Sequence, residues 1–68
     1  MMTAQEAYNL VKKWSKDSYK TEVCREYRNT FIFFHGGINV ICVDKKTGNI
    51  EEAEIYDLPR ERWHSVEL

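Results

Sequence analysis

Apolar residues recur every three or four positions at the start of the chain and every second position beyond it. Ala4, Ala7, Tyr8, Val11 and Trp14 share one broad stripe of a helix turning about 100° per residue, with Leu10 on its margin. Gln5, Glu6, Asn9, Lys12, Lys13 and Lys16 fall outside that stripe. Thr3-Ala4-Gln5-Glu6 has the form of a capping box, in which the Thr3 hydroxyl accepts from the Glu6 N–H and the Glu6 carboxylate accepts from the Thr3 N–H. Lysines in the last turns complement the negative end of the helix dipole. The pattern predicts a helix over residues 4–16 that ends in the polar pair Asp17-Ser18. Val11 and Trp14 are expected at its buried centre.

The period then changes to two. Residues 21–28 alternate, with Val23 and Tyr27 on one face and Cys24 on the other. Arg28-Asn29-Thr30 reads as a tight turn. Residues 31–35 are apolar on both faces, as suits a central strand. Gly36-Gly37 supplies the positive φ angles of a hairpin turn. In the next strand, 38–44, Ile38, Val40 and Cys42 face one way and Ile41 and Val43 the other. Asp44-Lys45-Lys46-Thr47-Gly48 reads as a type I turn closed by a left-handed glycine. A fourth strand, 49–56, is interrupted by Glu51, Glu52 and Glu54, charges expected on an edge strand. Pro59 stops it, and Asp57-Leu58-Pro59-Arg60 can open a short helical turn. The tail 61–68 stays open between folding back and serving a partner. The expected architecture is α+β: one N-terminal helix packed on a three- to four-stranded antiparallel meander sheet, with a short C-terminal turn or tail.

Sixty-eight residues accommodate one domain of modest stability, since a chain of this size buries only about 60% of its unfolded surface. Ten Lys and Arg against eleven Asp and Glu leave a net charge of −1, without the basic excess of a dedicated nucleic-acid binder. The longest apolar runs are four residues, too short to span a bilayer. No charged-then-apolar leader opens the chain and no membrane association is expected, and with two cysteines, too few for a disulfide scaffold, a reducing cytoplasm is the expected location.

Candidate chemistry is sparse. Cys24, His35, Cys42 and His64 are separated by 11, 7 and 22 residues, without the close pairing of zinc ligands, so no metal and no cofactor are expected. The cysteines read as ordinary sheet residues, and a Cys24–Cys42 disulfide would need Cα atoms within about 7 Å. Cys42 with His35 lacks the helix start or cation that activates a thiol. Glu52 and Glu54 on an exposed edge have no burial to shift them toward acid–base work. Gly36-Gly37 joins two strands and opens no phosphate-binding helix. An enzyme is therefore not expected. Phe31, Phe33 and Phe34 with Lys12, Lys13, Lys16 and Lys20 have the ingredients of a base-stacking platform, which makes a nucleic-acid-associated accessory protein the alternative reading, though nucleic acid is not the expected partner.

Two motifs carry a family resemblance: the helix start Thr3-Ala4-Gln5-Glu6-Ala7, and the late hairpin Ile41-Cys42-Val43-Asp44-Lys45-Lys46-Thr47-Gly48-Asn49-Ile50. With this element order, residues 3–56 resemble two groups of small bacterial domains, the PepSY-like domains and the immunity protein 35-like proteins. The chain departs from the immunity-like proteins in the tightness of the Gly36-Gly37 turn, and from the exported PepSY proteins in lacking a leader. The resemblance implies a non-catalytic inhibitor or partner-binding module. The residues themselves point to a protein partner docking on Glu51, Glu52, Glu54 and Asp57, with Trp63 as its aromatic anchor. An edge strand of this kind also admits a homodimer.

Overall fold

A computed structural model of the chain describes residues 2–18, 20–21, 23–34, 37–58 and 63–68. The capping box forms: Glu6 N–H donates to Thr3 Oγ1 at 3.2 Å, and Thr3 N–H donates to Glu6 Oε1 at 2.8 Å. It opens helix α1, Ala4–Trp14. The helix ends two residues before the expected 16. Lys16 N–H donates to the Lys13 carbonyl at 3.2 Å and Asp17 N–H to the Lys12 carbonyl at 2.7 Å, the paired bonds of a Schellman motif. Lys16 and Asp17 adopt left-handed φ values of 56° and 62° to make them.

Five strands follow: β1 (Cys24–Tyr27), β2 (Thr30–Phe34), β3 (Asn39–Asp44), β4 (Ile50–Glu54) and β5 (His64–Val66). All pairings are antiparallel, and the order across the sheet is β4-β3-β2-β1-β5. The fold is α+β as expected, with five strands where the pattern reads three to four. The addition comes from the tail, whose His64-Ser65-Val66 pairs with β1, Cys24 opposite Val66. Three residues with a single apolar side chain are too few to announce a strand by alternation. The expected helical turn at Asp57-Leu58-Pro59-Arg60 falls partly on residues outside those described. A 3-10 turn, Ile55–Asp57, overlaps it at Asp57 and ends the fourth strand at Glu54, short of the expected 56.

Helix α1 packs Ala4, Ala7 and Val11 onto Cys24, Phe31, Phe33, Ile41 and Val43 of the sheet. The Tyr8 ring stacks on Phe33 with centroids 5.6 Å apart, and its hydroxyl accepts from the Thr21 N–H at 3.1 Å. Val11 is fully buried, but Trp14 is 47% exposed, which corrects its expected place in the core. The buried arc is centred on Ala4, Ala7 and Val11. At about 100° per residue Trp14 lies roughly 50° to one side of that centre, in the last helical position.

Alternation along β2 and β3 holds as read: Phe31, Phe33, Ile41 and Val43 face the helix, while Ile32, Val40 and Cys42 face away. Ile32 and Val40 are nonetheless buried on that far side. There Tyr27 and Trp63 lie with ring centroids 4.6 Å apart, and the Arg25 guanidinium stands over Phe34. β4 and β5, consecutive strands in the chain, lie at opposite edges of the sheet.

The turn between β3 and β4 has the form read from its sequence. Asp44 Oδ1 accepts from the N–H groups of Lys46 and Thr47, and Gly48 N–H donates to the Asp44 carbonyl at 2.8 Å. Gly48 closes it at φ +77°, a left-handed value that side chains resist. Gly36 lies outside the described residues, and Gly37 has φ +66°.

Candidate functional site

β4 is one of the two sheet edges, and its outer side pairs with nothing among the described residues. Register decides which of its backbone groups are open. Asp44 N–H donates to the Asn49 carbonyl at 2.9 Å, and Ile55 N–H donates to the Ile38 carbonyl at 2.7 Å. Hydrogen-bonded pairs alternate along an antiparallel ladder, so Glu51 and Ala53 turn their N–H and C=O groups toward β3. Ile50, Glu52 and Glu54 turn theirs outward.

The pleat also divides the glutamates. Glu52 lies opposite Ile41 and shares its helix-side face, as does Glu54, whereas Glu51 lies opposite Cys42 on the far face. All three are exposed, and none has an ion-pair partner among the described residues. Asp57, at the end of the 3-10 turn, is exposed too.

Trp63 does not join them. It precedes β5, at the edge opposite β4 and four strand spacings away, roughly 19 Å. Its ring is half-buried against Tyr27. The five expected contact residues thus occupy two edges of one sheet, because the order places β4 and β5 at its extremes.

An aromatic does share a groove with one of them, Glu52, and it is Trp14. An open groove of about 460 Å³ lies between the end of α1 and the sheet. Trp14, Ser15 and Ser18 line one side, with Asn39 and Ile41 of β3 and Glu52 of β4 on the other. The helical spacing of Trp14 predicts a place in the core. The signal that pointed elsewhere is its position on the shoulder of the apolar stripe, at the last helical turn.

Against family models, curated proteins and solved structures, the chain has no match.

The remaining candidates place as follows. Cys24 and Cys42 are free thiols on opposite faces of the sheet, on strands separated by β2. Burial, with the charge of Glu26 adding to it, pushes the Cys24 thiol up to about 11. Burial and then Glu51 across the ladder push Cys42 up as well. Both shifts run opposite to what a nucleophilic thiolate needs. His35 lies outside the described residues, and among those described no cluster of His, Cys, Asp or Glu has the grouping of a metal site. Phe31 and Phe33 are 3% and 0% exposed, so their faces are closed to a nucleobase, and Phe34 is half-buried under Arg25. Among the described residues no helix is long and apolar enough to cross a membrane.

Proposed function

We propose that this chain is a non-enzymatic protein-binding module that receives its partner along the β4 edge. The observation that carries the reading is the coincidence, on one strand, of outward backbone groups at Ile50, Glu52 and Glu54 with exposed carboxylates at Glu51, Glu52 and Glu54. Open strand edges are templates for pairing, and carboxylates along one restrict the choice of partner. The resemblance of the helix start and late hairpin to PepSY-like and immunity protein 35-like domains favours the same class, an inhibitory or interaction domain.

Trp63 takes no part in this reading, since its ring belongs to the far-side packing with Tyr27. The edge also disfavours pairing with a second copy. β4 laid antiparallel against itself would set glutamates against glutamates, and like charges directly opposite are destabilising.

The test begins with affinity capture from the source cells, identification of the retained protein by mass, and kinetics with that protein purified. Glu52→Lys with Glu54→Lys is expected to slow association about tenfold and to weaken its salt dependence, as rim charges act mainly on encounter. Unchanged association across salt concentrations, in a variant that remains folded, would overturn the reading.

A further inference from the structure

Resting on the β4 edge as the docking surface, we infer that its occupant is an extended basic segment of a partner protein. This segment joins the sheet as a sixth strand and places a Lys or Arg side chain in the groove between Trp14 and Glu52. Three observations converge on this occupant.

The first is the direction of the open groups. Only Ile50, Glu52 and Glu54 of β4 aim their backbone outward, so an added strand bonds to those three residues. Any residue set opposite Glu52 then carries its side chain on the helix side of the sheet, about 4.5–5.5 Å from Glu52 between Cβ atoms. That is the side on which the groove lies.

The second is the chemistry of the groove. A half-exposed indole and a carboxylate without an ion-pair partner among the described residues line one cavity of about 460 Å³, within the usual ~300–1,000 Å³ of ligand pockets. Trp presents the strongest cation-binding ring face, and Glu52 neutralises the cation that settles there. A neutral apolar side chain would leave the carboxylate desolvated and unpaired, which is costly.

The third is periodicity. Glu52 and Glu54 are two residues apart on the same face, so the complementary strand carries cations at alternate positions, Lys/Arg-x-Lys/Arg. Glu51 on the opposite face adds attraction for the intervening position. A polyphosphate backbone meets three carboxylates here and is repelled.

The experiment is an ¹⁵N NMR titration of the full chain with acetyl-Thr-Lys-Val-Lys-Thr-amide, and with the same peptide carrying norleucine for lysine. The lysine peptide is expected to shift the amides of Ile50, Glu52 and Glu54 and the Trp14 indole N–H, with the Trp63 indole unmoved. Norleucine, Glu52→Gln or Trp14→Leu should each raise the dissociation constant about three- to tenfold. The norleucine arm needs no mutation and so separates binding from folding. If the β4 amides move while the Trp14 indole does not, or if norleucine binds equally well, the groove inference fails and the edge reading stands. If neither peptide moves β4, both fail. Concentration-dependent shifts at β4 without peptide would make a second copy the occupant and overturn the inference.

Discussion

The ammonium of Lys45 lies 2.6 Å from the Glu26 carboxylate and 4.7 Å from the centre of the Phe31 ring. Lys45 belongs to the turn after β3 and Glu26 to β1, so the contact spans the intervening strand. The Lys45 N–H also donates to the Asn29 carbonyl at 2.7 Å, in the turn between β1 and β2. The lysine is 9% exposed, so its ammonium meets the Phe31 ring and the Glu26 carboxylate largely out of water.

Removing one partner strands the other. Glu26→Ala is expected to cost about 1–2 kcal/mol in urea unfolding, below the ~3–5 kcal/mol of a fully buried pair because Glu26 is 39% exposed. Replacing both, Glu26→Gln with Lys45→Met, should recover most of that loss, since the apolar stem is retained and no charge is left unpaired. A double variant as unstable as Glu26→Ala would show that the charges themselves are required.

The end of the helix offers a gain. Lys16 holds a left-handed φ of 56° at the position where glycine is favoured. Relief of about 1–2 kcal/mol of backbone strain competes with roughly 0.4–1 kcal/mol of added freedom in the unfolded chain. Lys16→Gly should therefore stabilise by about 0.5–1 kcal/mol, read as a higher urea midpoint with unchanged slope. Lys16→Val should do the reverse.

Two aromatics of the helix–sheet side, Phe33 and Trp14, differ in weight. Phe33→Ala empties a fully buried site and is expected to cost about 3–5 kcal/mol. Trp14, 47% exposed, should cost only about 1–2 kcal/mol on truncation to Ala. Equal losses in thermal unfolding would mean that Trp14 is seated in the core.

Stability should fall at both ends of the pH scale, for different groups. Hydrogen bonds from the Thr47 and Lys46 N–H groups hold the Asp44 carboxyl below its ordinary 3.8. The Thr3 N–H, and then its side chain, hold Glu6 below 4.5. As pH drops the unfolded chain takes up these protons first. The contribution is therefore full above about pH 5 and is lost through 4.5 and 3.8 toward the lower folded values. Glu6→Gln with Asp44→Asn should flatten the acid limb of a plot of urea midpoint against pH. Cys24 acts in the opposite sense: its thiol is raised from 9.0 to about 11, so the unfolded chain ionises first and stability declines as pH rises between those values. Cys24→Ala should flatten that alkaline limb.

Much of the local structure is legible in the residues themselves. Thr3 and Glu6 announce the helix start because both halves of the capping box lie within one turn of chain. The faces of Ile41, Cys42 and Val43 follow from a period of two, and Gly48 from a turn that needs positive φ. Three glutamates in five residues mark β4 as an edge, since an interior strand would bury them. Even the separation of Glu51 from Glu52 and Glu54 is implied by the pleat.

Other features were settled only when distant segments met. His64-Ser65-Val66 is a strand because β1 offers it a free edge, and nothing within three residues encodes that. Trp63 stays open in the sequence between folding back and anchoring a partner, and Tyr27, 36 positions earlier, decides it by packing against its ring. Trp14 has the spacing of a core residue, yet its exposure depends on how the last helical turn stands off from β3 and β4 across the groove. Periodicity records which face a side chain takes relative to its neighbours in the chain. Which element covers that face is set by long-range pairing, whose free energy is shared among residues that no local window contains.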